Sequence, residues 1–198
     1  MQLVENYTNC VYKTMHTINP TISKRQNRII IGTILGGSSI VKPPKGRNCY
    51  LTMRSNNIKW IEHKASELNV LSSDNPFTSS KNTNRWHSLC YPIFDEYRKM
   101  FYKDGVRHIK STILDTMYDL SMAIWYMDSG RYHNKEIILN THVWGEKGTN
   151  TIEKFFRIGL NFSTRITTDR GRFRIMINPD SSQVFFKIIS PYTHVKYE

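Results

Sequence analysis

The sequence predicts an α+β fold built from one unit used twice. Two observations carry this reading. The first is order: each half reads helix, hairpin, helix, hairpin, helix. The second is spacing: the two most apolar stretches end at Gly36-Gly37 and Ser129-Gly130, and their equivalent residues Leu35 and Met127 lie 92 residues apart. A recurrence at that distance is the mark of an internal repeat.

The first twenty residues end at Pro20 and read as an arm. A helix is expected from Thr21, with Ser23 as N-cap and Ile29, Ile30, Ile31, Ile34 and Leu35 following. Gly36-Gly37 ends it, because glycine accepts the positive φ of a helix terminus. Ser38 to Val41 and Asn48 to Met53 flank the turn signal Pro43-Pro44-Lys45-Gly46 and form a hairpin. Ile58, Ile61, Ala65 and Leu68 recur at helical spacing. Ser72 to Asn84 is polar and reads as strand, loop and strand. Pro92 suits the first turn of a helix running to about Tyr102. Asp104 to Tyr118 connects the halves. Tyr118 to Met127 is the second strongly apolar helix, followed by strands Arg131 to His133 and Ile137 to Leu139. Asn150 to Leu160 is helical by pattern. Thr164 to Thr168 and Phe173 to Ile177 flank a turn at Asp169-Arg170-Gly171, and Pro179 opens the last helix. The expected organisation is arm 1–20, first half 21–103, connector 104–117 and second half 118–198.

Twenty-eight Lys and Arg against sixteen Asp and Glu leave a formal charge of +12 on 198 residues. A surplus of that size favours a polyanionic partner, since neutralising phosphates releases condensed counterions. With 39% hydrophobic and 12% aromatic residues the chain has the apolar content of a folded core, not of a disordered basic tail. No stretch approaches the roughly 18 apolar residues of a membrane span. No basic amphipathic helix marks a membrane surface. The N-terminus lacks the pattern of a secretory signal, and Cys10, Cys49 and Cys90 form no CxxC, so reduced thiols in an intracellular, soluble protein are expected. Seven scattered histidines form no HxxxH or Cys/His pair, so a zinc-type nuclease has no basis. Nucleotide-binding and acyl-transfer motifs are absent as well.

Several segments resemble a known family. Ile30-Ile31-Gly32-Thr33-Ile34-Leu35-Gly36-Gly37-Ser38 and Met122-Ala123-Ile124-Trp125-Tyr126-Met127-Asp128-Ser129-Gly130 resemble the two signature helices of monomeric LAGLIDADG homing endonucleases. Tyr102-Lys103-Asp104-Gly105 with Lys110-Ser111-Thr112-Ile113 resembles the segment between the halves. Ile137 to Thr141 and Ile189-Ser190-Pro191-Tyr192 resemble later family segments. The resemblance implies a pseudo-twofold duplicated fold with two four-stranded antiparallel saddle sheets packed under helices. It implies signature helices packed through small residues, here Gly32, Gly36 and Ala123. It also implies double-stranded DNA in the major groove as partner, a monomer, and Mg²⁺ as cofactor where the enzyme is active.

The match fails at two decisive places. The family holds its catalytic metal with an acidic residue at the penultimate signature position, and here those positions are Gly37 and Ser129. Hard Mg²⁺ needs anionic oxygens. Glycine offers no side-chain ligand and serine only a neutral hydroxyl, so the expectation is DNA binding with cleavage lost or weak and no cofactor required. Asp128, one residue earlier and about 100° around the helix, is the alternative metal ligand, for an active or nicking endonuclease. Lys110 matches the family lysine that stabilises phosphate charge; Lys196 is a weaker echo of its second-half counterpart. A third reading is an intron RNA-binding, maturase-like splicing cofactor.

Basic residues on the hairpins are the candidate DNA contacts: Lys42, Lys45, Arg47 and Arg54 on the first, Lys81 and Arg85 on the second, Arg131 and Lys135 on the third, and Arg165, Arg170, Arg172 and Arg174 on the fourth. Period-two geometry is expected to place Arg170, Arg172 and Arg174 on one face. Asn48, Asn82, Asn84 and Asn140 are candidates to read adenine.

Overall fold

The computed structural model describes residues 17–44, 47–80 and 83–193. The chain divides into two compact units, Met1–Asn27 with Ser38–Lys99 and Arg28–Gly37 with Met100–Glu198. The division falls inside the first helix, α1 (Lys24–Leu35).

In the first unit, Ser23 caps α1. Its hydroxyl accepts from the Gln26 amide at 3.1 Å while the Gln26 side chain accepts from the Ser23 amide at 2.9 Å, a reciprocal capping box. Strands β1 (Ser39–Val41), β2 (Tyr50–Ser55), β3 (Ser72–Ser80) and β4 (Thr83–Ser88) form an antiparallel sheet in the order β1-β2-β4-β3. Met53 faces Trp86 across the ladder and both are fully buried. Helix α2 (Ile58–Glu67) starts at Asn57, whose side chain accepts from the Trp60 amide, and buries Trp60, Ile61 and Ala65. Helix α3 (Pro92–Phe101) buries Phe94 and Tyr97.

The second unit opens with a feature not visible in the sequence. A small hairpin, β5 (Tyr102–Lys103) and β6 (Val106–Arg107), straddles the expected boundary between first half and connector, and the connector also holds a short helix, α4 (Ser111–Leu114). Helix α5 (Asp119–Ser129) is buried from Leu120 to Met127. Strands β7 (Gly130–His133), β8 (Glu136–Asn140), β9 (Thr164–Asp169) and β10 (Arg172–Ile177) form a second antiparallel sheet in the order β7-β8-β10-β9, the same order as the first. Helix α6 (Gly145–Lys154) begins five residues earlier than the apolar pattern indicates and runs into a π turn at Phe155–Gly159. Helix α7 (Pro179–Ile189) completes the unit. Ile137, Leu139, Ile175 and Ile177 are fully buried on one sheet face. Trp125, Tyr126, Phe156, Phe162 and Phe185 form an aromatic cluster with ring centroids 5.8 to 6.4 Å apart. Such pairs add about 0.5–1.5 kcal/mol each beyond area burial.

Residues Arg28 to Leu35 of α1 pack directly on α5. A Cβ placed on Gly32 would lie 2.5 Å from the Ser121 carbonyl oxygen and 2.8 Å from Ile124 Cβ, so only glycine permits this approach. The Ser121 hydroxyl donates to the Arg28 carbonyl at 2.9 Å and ties the helices where they cross.

Candidate nucleic-acid interface

The C-terminal ends of α1 and α5 bring the signature positions into one unit. Gly37 ends α1 at φ +111°, with nothing within 4 Å of the place a Cβ would occupy. Its carbonyl accepts from Arg107 Nη2 at 2.9 Å, and the Ile34 carbonyl accepts from Arg107 Nη1 at 3.4 Å. Trp144 Nε1 donates to the Leu35 carbonyl at 3.4 Å. Side chains therefore donate to the carbonyls at the helix end, that of Ile34 also accepting from the Gly37 amide at 3.1 Å, and a cation there complements the helix dipole. The Arg107 guanidinium also lies 5.4 Å from the Trp144 ring centre and 5.7 Å from that of Tyr102. Burial lowers its pKa.

At the end of α5 the Ser129 hydroxyl turns back to the Trp125 carbonyl at 3.4 Å, and the Ser129 carbonyl accepts from Asn140 Nδ2 at 2.7 Å. Asp128 packs against α1: a Cβ on Gly36 would meet Asp128 Cβ at 2.5 Å and Oδ2 at 2.9 Å. The 100° offset thus turns this carboxylate into the contact between the two helix ends. The donor set does not fit a hard divalent cation. Gly37 supplies no side chain, Ser129 a neutral hydroxyl, and Asp128 a single carboxylate. Among the described residues no group of three or more His, Cys, Asp or Glu is placed to hold a metal. Lys110 is exposed at the N-cap of α4.

On the second sheet the ladder register assembles one polar face. Arg131 pairs with Ile138, Ile138 with Met176 and Met176 with Arg165, in a row across all four strands. Arg174 pairs with Asn140 on one side and Thr167 on the other; Arg172 pairs with Asp169. Two of these arginines are held by acids. Glu136 takes Arg165 in a two-pronged pair at 2.5 and 2.8 Å, and Asp169 takes Arg174. The Arg165 guanidinium holds the Glu136 carboxyl below the usual range. Arg170 corrects the expected alternation: with Gly171 it forms the β9–β10 turn at positive φ, so only Arg172 and Arg174 share the face. Lys135 likewise sits in the β7–β8 turn at φ 65°.

On the first sheet Arg54 of β2 stands directly opposite Arg85 of β4, and Thr52 opposite His87. Lys42 lies in the loop after β1, exposed, and Arg47 is half-buried before β2. Lys45, Lys81, Asn82 and Lys196 fall outside the described residues. Asn84 Oδ1 accepts from Ser79, and the Asn140 amide donates one of its two hydrogens to the Ser129 carbonyl. Arg107 is the site residue that motif reasoning passes over. No spacing signal distinguishes it from its basic neighbours; only the β5–β6 hairpin turns it onto α1. His142 lies near it: burial first, then Arg172, Arg107 and Arg174, lower its pKa.

Two helices abutting at glycine, each followed by an antiparallel sheet of identical strand order, define a duplicated α+β architecture. Residues 27–185 match the LAGLIDADG DNA endonuclease family, and the chain belongs to that family. It is 23% identical over 188 residues to "Probable intron-encoded endonuclease 1" of Wickerhamomyces canadensis, covering 87% of this chain and 81% of that protein. Its fold is similar to the homing endonuclease I-WcaI bound to its DNA recognition sequence, with TM-score 0.79 and 22% identity over 97% of this chain and 88% of that one. I-DmoI in complex with DNA and Mn gives TM-score 0.57 at 12% identity, over 83% of this chain and 96% of that one. The N-terminal LAGLIDADG domain of WhiA gives 0.56 at 12% identity, over 86% of each. No described helix is long and apolar enough to cross a membrane.

Proposed function

We propose that this chain is a monomeric, site-recognising double-stranded DNA-binding protein that has lost phosphodiester cleavage or retains only a trace of it. One observation carries the reading: both positions where the family supports its metal lack a carboxylate. The backbone carbonyl at one is bonded to Arg107, and the hydroxyl at the other is turned into its own helix. Strand-face arginines supply the binding. Arg54, Arg85, Arg131, Arg165, Arg172 and Arg174 stand on sheet faces, the geometry in which a strand ribbon enters the major groove while cations meet phosphates. The solved relatives that hold DNA support duplex DNA as the ligand.

Asp128 favours one second reading, weak nicking, because it places one carboxylate against the end of the other helix. Selecting bound sequences from a random duplex library, then incubating them with Mg²⁺ or Mn²⁺, separates the two. Retained, uncut duplex is the expected result. Strand-specific cuts that vanish in Asp128→Asn would establish the second reading. Tighter binding of structured RNA than of any selected duplex would replace both.

A further inference from the structure

The first sheet carries an arrangement that its own residues leave incomplete. Arg54 and Arg85 are directly opposed across the β2–β4 ladder, and His87 follows two residues after Arg85 on the same face. Like charges directly opposite on a sheet are destabilising. On the second sheet equivalent charges are offset by Glu136 and Asp169. The ion pairs formed among the described residues involve neither Arg54 nor Arg85. Arg85 Nε and His87 Nδ1 are both buried with no hydrogen-bond partner among the described residues. Buried polar atoms are ordinarily bonded, so two orphans side by side on a functional face point to an absent acceptor.

The surroundings of His87 are neutral or cationic. Across from it on β2 is Thr52, with Ser39 of β1 beyond; the Tyr50 ring meets the imidazole edge-on at 5.9 Å. On β3, Thr78 pairs with Arg85, and Asp74 lies exposed in the irregular stretch between Ser72 and Phe77. Helix α2, packed on β4, carries Lys59, Glu62, His63, Lys64 and Glu67, none of which governs His87. Burial first, then Arg85 and Arg54, lower its pKa. Burial and the two nearby guanidinium groups thus disfavour the charged imidazole in the free protein.

We propose that Arg54, Arg85 and His87 form one subsite for a backbone phosphate of duplex DNA, which His87 enters as imidazolium by taking a proton from solvent as the phosphate arrives. The proposal rests on the duplex-binding reading and deepens it. A phosphate oxygen accepts from the two guanidinium groups, and its negative charge offsets the arginine contribution that disfavours the imidazolium. Binding and proton uptake are then linked, and affinity rises as pH falls.

The test measures binding of a mixed-sequence DNA duplex at fixed ionic strength from pH 8 to pH 6, for wild type, His87→Gln and Arg54→Gln. Calorimetry in buffers of different ionisation enthalpy counts protons. Wild type is expected to tighten as pH falls, by up to about tenfold per pH unit where one proton is taken up. His87→Gln is expected to show a shallower pH dependence and to take up fewer protons, by up to one. Arg54→Gln weakens binding at every pH. His142 and the other histidines set a background slope common to wild type and His87→Gln, so the difference is the readout. Identical slopes and proton counts in those two proteins would overturn the subsite while leaving duplex binding intact. Absence of duplex binding at every pH would overturn both.

Discussion

Replacing Gly32 with alanine tests the helix contact that places both signature ends in one unit. In an ordinary helix interior the change is favourable by roughly 0.5–1 kcal/mol, because alanine loses less backbone entropy. Here the added methyl would sit 2.5 Å from a backbone oxygen, where ordinary carbon contacts are about 3.5–4.0 Å. The Ser121 carbonyl belongs to a helix buried for eight consecutive residues and cannot rotate aside as a side-chain tip does. Overpacking of this kind costs about 1–3 kcal/mol. Parting the helices also strains the Ser121–Arg28 hydrogen bond, worth about 1 kcal/mol. The steric term wins, and the net loss is about 2 kcal/mol. For a chain of this size that lowers Tm by roughly 4–8 °C. Urea unfolding followed by circular dichroism and tryptophan fluorescence measures it. Gly159→Ala is the control: its Cβ would make an ordinary 3.4 Å contact with Phe155, and it should be neutral or mildly stabilising. A Gly32→Ala protein as stable as wild type would refute the close approach.

Arg107→Met keeps the apolar stem against Trp144 but removes the guanidinium from the Gly37 and Ile34 carbonyls. It should cost about 1–2 kcal/mol and lower amide protection at the end of α1 in hydrogen exchange; unchanged protection would remove Arg107 from that role. Glu67 is held below the usual carboxylate range by hydrogen bonds from Arg25. A depressed folded pKa gives stability that is present above the unfolded value, about 4.3, and is lost as pH falls through the folded one. Wild type should therefore lose stability more steeply than Glu67→Gln as the solution is acidified below that value, read as the urea midpoint against pH; parallel curves would contradict it.

Much of the fold is legible in the sequence because local chemistry and the burial pattern agree. Ser23 marks an N-cap, Gly36-Gly37 a helix end, and each turn signal falls between strands that pair. The β5–β6 hairpin is not legible, since two-residue strands leave no periodicity. The early start of α6 is hidden because its first turns are Gly, Glu, Lys and Thr, with no apolar stripe. At the candidate site, that Gly37 and Ser129 carry no carboxylate is a matter of residue identity and can be read directly from the chain. What surrounds those two positions cannot: Arg107 and Asn140 reach the helix ends through tertiary contacts, and Asp128 faces the other helix because of the angle at which the two cross. Arg170 shows the limit of period-two reasoning, which holds only while the chain remains a strand.

The central claim is that recognition has outlived cleavage, and one measurement reaches it directly. A random duplex library is selected for binding at physiological salt, and the enriched duplexes are incubated with the protein and Mg²⁺. The account predicts an enriched family of sequences, bound with an affinity that falls steeply with salt, and recovered uncut. Site-specific cleavage of those same duplexes, abolished by Asp128→Asn, would contradict it.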